Sequence, residues 1–222
     1  MNITEKLERS KSTEKIDFTK YLPIDKQEPL VKVESSEKIL IEPCWTIPGD
    51  FEGGKYAEYI ADHPEYDGLY VRTELLKRLK SAASSLPKEY YLVVRAGHRP
   101  ISVQKKLLID CASDSIKDNP SISEQEALDH ARIFVSDPDI EVPPHVCGAA
   151  VDVEIKDVET GELLDFGSKM NDDTKLSYLY CSNLREIQKS NRLMSTTAMF
   201  DAGFANCKFE WWHFSYGDQV WA

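Results

Sequence analysis

Two short segments concentrate groups that bind metals and move protons. One is His145-Val-Cys-Gly148-Ala-Ala150-Val-Asp152. The other, near the C-terminus, is Glu210-Trp-Trp-His213. A catalytic zinc site needs three protein ligands and an open fourth position for water. The ion lowers the pKa of that water to roughly 7, and a carboxylate outside the ligand set can carry the proton to a leaving amine. His145, Asp152 and His213 fit the ligand roles and Glu210 the proton-carrying role. Cleavage of a peptide bond with one zinc ion per chain is therefore the expected chemistry. Either pair alone is more often structural than functional. Their joint occurrence, with the small residues Gly148 and Ala150 between the first two ligands, singles them out.

These groups need elements to hold them. Residues 147–156 alternate, with Ala149, Val151, Val153 and Ile155 on one face and Ala150, Asp152 and Glu154 on the other, the pattern of a strand. An unpaired carboxylate on such a strand is costly, which favours Asp152 as a ligand. Gly148 lets the backbone bend close to a metal. Glu210 and His213 are three apart, which on a regular strand puts them on opposite faces. They share a site only if the strand is bulged or ends there, or if one side chain folds over the edge.

Upstream, Leu75, Leu76, Leu79, Ala82, Ala83 and Leu86 recur at helical spacing and Pro87 stops the run. Residues 90–95 read as a buried strand ending at Ala96-Gly97-His98-Arg99-Pro100. A second helix is expected from near Ser102. A third is expected over 124–134, with Ser123 and Glu126 as a capping box. Residues 38–43 are short and β-prone. Residues 159–162 form a turn into a short return strand, and 176–202 carry helical periodicity with Gly203 as the C-cap. The end of the chain, 204–221, is aromatic and β-prone. Trp45 opens a Gly- and Pro-rich loop that either lines a pocket or plugs the core. Residues 1–36 read as a polar N-terminal extension and 37–222 as one α+β domain, a central, mainly antiparallel sheet flanked by helices.

The chain has 222 residues and a net charge of −11, which argues against nucleic-acid binding. No run of about 18 apolar residues occurs, so no transmembrane helix and no membrane partner are expected. No signal peptide is visible, and the five cysteines contain no C-x-x-C pair. Reduced thiols and a cytoplasmic location follow as expectations. The expected partner is a small peptide substrate; oligomeric state is open. Cys147 lies two residues from His145, but no second free imidazole is in evidence to activate it as a nucleophile.

His-x-x-Gly-x-Ala-x-Asp followed by Glu-Trp-Trp-His resembles the D-Ala-D-Ala dipeptidases of the VanX type. These belong to a wider zinc peptidase group that includes D,D- and L,D-carboxypeptidases, phage endopeptidases and the hedgehog signalling domain. The likeness runs from about Trp45 to Phe214. Residues 159–168 resemble the segment after the aspartate ligand, and 96–100 resemble an Asp-Gly-Tyr-Arg-Pro signature with His98 in place of the tyrosine. The resemblance implies a hedgehog/D,D-peptidase-like fold, zinc on His145, Asp152 and His213, Glu210 as general base, and Arg99 stabilising the oxyanion. A fixed cation at a strand end suits that last role. Substrate positions depart from the pattern. Pro143 and Pro144 stand where serines are usual, Asn171 where an aspartate pairs with the substrate amine, and Trp45 where a tyrosine lines the pocket. The expected activity is hydrolysis of D-Ala-D-Ala or a related short D-amino-acid peptide. The alternatives are a D,D- or L,D-carboxypeptidase or endopeptidase acting on longer cell-wall peptides, and a non-catalytic zinc module. A spare Glu210 argues against the last.

Overall fold

The computed structural model describes residues 28–44, 58, 61–63, 67–172, 174–218, 220 and 221. Trp45 lies outside them. A five-stranded sheet runs in the order β2 (Ile39–Ile41), β4 (Tyr90–Ala96), β5 (Ala150–Asp157), β7 (His213–Ser215), β6 (Ala205–Asn206). Among the described strands, only the β2–β4 pair is parallel. A separate antiparallel ribbon joins β1 (Leu30–Lys32), within the polar extension, to β3 (Tyr70–Arg72).

Helix α1 (Thr73–Ser85) buries Leu75, Leu79, Ala82 and Ala83, one stripe at spacings of four and three. It ends at Leu86, held in an extended conformation as expected for a residue before proline. Its stripe packs with α4 (Glu186–Asp201) over Leu92, Val94, Val151, Val153 and Ile155, forming the main core. Helices α2 (Ile101–Asp118) and α3 (Glu124–Ala131) pack on each other around Leu108, Ala112, Ala127 and Ala131. The expected capping box at Ser123 and Glu126 is present.

The opposite face of β5 is polar in sequence yet also buried, because its charges are paired. Arg95 sits where the β4–β5 register shifts and reaches Glu154 at 3.2 Å and Glu42 at 3.5 Å. Lys156 pairs with the same Glu42.

The structure differs from the sequence reading over 176–202. Helix starts only at Glu186, and residues 175–177 form a single 3-10 turn. Carbonyls at the start of this segment are engaged by tertiary contacts instead. Buried Arg192 donates to Leu176 O at 2.6 Å and Tyr178 O at 2.5 Å, and also to Phe166 O upstream at 2.7 Å. The third helix stops at Ala131, short of Phe134, and the 147–156 strand begins at Ala150 after a tight turn. The expected return strand is one bridge, Lys156 to Leu163.

Candidate metal centre

The first histidine sits on a compact turn. The amides of Cys147, Gly148 and Ala149 donate to the carbonyls of Pro143, His145 and Pro144 at 3.2, 3.1 and 3.1 Å. Prolines suit this turn because it needs their carbonyls and not their missing N–H groups. Gly148 adopts φ +68°, a left-handed conformation that glycine accepts without strain.

Asp152 and His213 meet through strand register. They are direct partners across β5 and β7, a spacing at which neighbouring side chains touch. Glu210 lies outside the strand, in the turn that leads into it, where the His213 amide faces the Glu210 carbonyl at 3.4 Å. A turn before a three-residue strand thus resolves the odd Glu-x-x-His spacing. Trp211 anchors that turn. It stacks on Phe166 at 4.2 Å between centroids, donates to Ser168 Oγ at 2.9 Å, and its amide donates to Ser177 O.

His145, Asp152 and His213 converge, all buried, with their ligand atoms within 4.8 Å of one another. His145 Nε2 lies 3.2 Å from His213 Nδ1 and 3.3 Å from Asp152 Oδ2, and His213 Nδ1 lies 3.1 Å from Asp152 Oδ1. The outer nitrogens have partners of their own. His145 Nδ1 is 2.8 Å from Gly97 O, and His213 Nε2 is 3.4 Å from Ser215 Oγ. A carbonyl only accepts, so His145 carries its proton on Nδ1 and turns the Nε2 lone pair inward. Lone pairs gathered around one point are the arrangement of a metal site.

Electrostatics couple the three side chains. Burial holds His145 below its ordinary pKa, keeping it neutral. Burial alone would raise Asp152, but the two imidazoles outweigh it and hold the carboxyl far below the usual range. Burial would lower His213, but its hydrogen bond to Asp152 reverses the direction and raises it.

Around these three side chains runs a cleft of about 170 Å³. Arg99, Pro143, Asn171 and Glu210 line it together with the three converging residues. Glu210 Oε2 is 3.8 Å from His213 Nδ1, beside the cluster rather than in it. The Arg99 amide donates to His145 O at 3.0 Å, and its Nη1 donates to Gln104 Oε1 at 2.9 Å. Asn171 has φ +61°. His98 lies behind the ligand turn, and burial pushes its imidazole down to about 4. Cys207 also lines the cleft, but burial pushes its thiol up to about 12, so it stays protonated near neutral pH.

Sequence reasoning missed Gln104, Phe209 and the 132–136 wall of the cleft. Gln104 had a readable signal. It is a polar residue on the inward stripe of α2, beside Val103, Leu107 and Leu108, and is only 3% exposed. The 132–136 wall follows a helix end and has no such pattern.

Comparison with known proteins places the chain in a family. A cyanobacterial protein from Synechocystis, named D-alanyl-D-alanine dipeptidase, is 28% identical over 195 residues, covering 75% of this chain and 77% of that protein. One from Enterococcus faecium with the same name is 24% identical over 156 residues, covering 68% and 74%. Among solved structures, VanYB in complex with D-Alanine-D-Alanine aligns with a TM-score of 0.44 at 14% identity, covering 69% of this chain and 75% of that one. The LdcB LD-carboxypeptidase aligns with a TM-score of 0.40 at 20% identity, covering 68% and 60%. A family model described as D-Ala-D-Ala dipeptidase matches residues 69–222, well over half of the sequence, and the chain belongs to that family of metallopeptidases.

Proposed function

We propose that this chain is a zinc-dependent dipeptidase that hydrolyses D-Ala-D-Ala or a closely related short D-amino-acid peptide. The carrying observation is the donor spacing. Ligand atoms about 2.0–2.1 Å from a tetrahedral zinc ion lie roughly 3.3 Å apart; His145 Nε2 and His213 Nδ1 are 3.2 Å apart, and the Asp152 carboxylate faces both, with Oδ1 3.1 Å from His213 Nδ1 and Oδ2 3.3 Å from His145 Nε2. Two imidazoles and one carboxylate suit zinc and leave a fourth position open. Zinc held by His145, Asp152 and His213 supplies a Lewis acid that polarises the scissile carbonyl and makes water nucleophilic near neutral pH.

The remaining work falls to the chain. Glu210, about a quarter exposed, stands beside the ligand cluster and within the cleft. It takes the proton from the attacking water and delivers it to the leaving amine. Arg99 presents a permanent cation to the oxygen on which charge develops. Its guanidinium is tied to Gln104, whose amide in turn donates to Ser136 O at 2.8 Å, so its orientation is set before substrate arrives. Pro143 and Asn171 border the substrate space. The relatives' name, D-alanyl-D-alanine dipeptidase, supports the substrate class.

A second reading, cleavage of longer cell-wall peptides, is favoured by one observation. Asn171, which lines the cleft, is neutral, while Asp172 is not among the lining residues and turns Oδ1 to the amide of Thr174 at 2.8 Å and to its hydroxyl. A free substrate amine gains no counter-charge from Asn171, and an acylated one needs none. Rates on D-Ala-D-Ala and on N-acyl-D-Ala-D-Ala separate the two. Faster turnover of the free dipeptide is expected; a preference for the acylated form overturns the dipeptidase reading.

A further inference from the structure

The metal cluster faces the cleft, but what holds its first ligand comes from behind. Strand β3 is not part of the five-stranded sheet, yet it touches both segments that fix His145. The Arg72 amide donates to Gly148 O at 3.2 Å, and Arg72 Nε donates to Cys147 O. Both bonds land on the turn between His145 and β5. Two residues earlier along the same strand, Tyr70 O accepts the His98 amide at 2.6 Å. A Cβ on Gly97 would lie 2.5 Å from that Tyr70 oxygen, so this approach is close as well as bonded. Gly97 O is the acceptor for His145 Nδ1. The imidazole's backbone and its hydrogen-bond acceptor therefore hang on the same three-residue strand.

The packing is equally tight at the turn. A Cβ on Gly148 would meet Leu30 Cδ2 at 2.6 Å and Arg72 Cγ at 3.3 Å. Leu30 is the β1 partner of Arg72. So the ribbon grips the ligand turn with one charged donor, one backbone donor and one apolar side chain. Arg72 is the member of this set whose removal subtracts a bond to the turn without breaking the strand.

We propose that Arg72 is a positioning residue for the metal centre, acting through the Cys147 and Gly148 carbonyls to hold His145 at ligand geometry, with Leu30 as its apolar support. This rests on the zinc reading above. Groups that orient a ligand from behind change metal affinity by about 10- to 100-fold when removed, and Arg72 fits that role although it never meets the ion or the substrate.

The test measures zinc affinity of the full chain by competition with a chromophoric chelator, alongside thermal unfolding of the metal-free protein. Arg72→Met keeps the aliphatic stem and deletes the donor. Zinc binding about 10-fold or more weaker is expected, with the metal-free melting temperature much less affected. Arg72→Lys, which can still donate to Cys147 O, should recover part of the loss. Wild-type affinity in Arg72→Met overturns the proposal, as does a loss of metal-free stability with unchanged zinc affinity. Should Arg72→Met fail to fold, Leu30→Ala carries the test: several-fold weaker zinc binding supports the role and unchanged binding contradicts it. A wild-type chain that binds no zinc overturns the zinc reading and the proposal together; a wild-type chain that binds zinc as well as its variants overturns the proposal alone.

Discussion

The oxyanion role proposed for Arg99 sets two requirements: a cation beside the reacting carbonyl, and a fixed direction for it. The backbone amide bonded to His145 O and the guanidinium bonded to Gln104 meet both. Lysine keeps the charge but loses the planar fork. Arg99→Lys should lower kcat about 100-fold while KM changes little, measured as steady-state alanine release. His98 yields a pH prediction. Burial lowers its imidazole from 6.5 to about 4, so above 6.5 folded and unfolded chains both hold a neutral ring. As pH falls from 6.5 toward 4, the unfolded chain takes up a proton that the fold resists, and stability is lost with acidification. Urea unfolding of metal-free His98→Gln across that window should show a shallower acid slope than wild type; an identical slope contradicts the assignment. The candidate ligands were legible at this scale because their chemistry is carried by side-chain type and spacing. Gln104 was less so, because its role depends on Ser136, 32 residues away.

Among elements, the segment 166–178 carries Asn171 into the cleft, and the 175–177 turn is the only regular structure among its described residues. Arg192, only 3% exposed on α4, serves as its common donor through three carbonyls. Hydrogen bonds to a charged donor contribute about 1.5–3 kcal/mol each, and the carbonyls would be left without that donor. Arg192→Met should destabilise the fold by at least about 3 kcal/mol in urea unfolding, and KM should rise more than kcat falls because the Asn171 wall loosens. An unchanged KM would separate this segment from substrate binding. The same residue explains a sequence misreading. Leu176 and Leu184 continue the apolar spacing of α4, but the carbonyls between them are engaged by Arg192 and other distant groups, and helix forms only from Glu186. By contrast, α1 and β4 matched their patterns because their periodicity agrees with the face they bury.

For the whole molecule, the candidate metal centre joins β5, β7 and the turn braced by the β1–β3 ribbon, elements from both ends of the described chain. Without an ion, a buried carboxylate and two buried imidazoles share one pocket. Zinc bound only by the folded state should stabilise it, by about 2.7 kcal/mol at 100 times the dissociation constant. Chelation should therefore lower Tm and zinc should restore it; a Tm indifferent to both contradicts the site. The α+β class could be read from separate helical and alternating runs, and the strand around Asp152 from alternation alone. The β2-β4-β5-β7-β6 order could not, because it depends on which strands pair, and β1, one half of the β1–β3 ribbon, lies within a stretch whose composition reads as a polar arm. Among the described residues no helix is long and apolar enough to cross a membrane. The most direct test of the central claim is alanine release from D-Ala-D-Ala by zinc-loaded wild type and Glu210→Ala, with zinc content measured on the same samples. Turnover by wild type, equal zinc in both, and a loss of at least about 100-fold in the variant are predicted. Equal turnover by the two proteins, or none by the zinc-loaded wild type, would contradict the account.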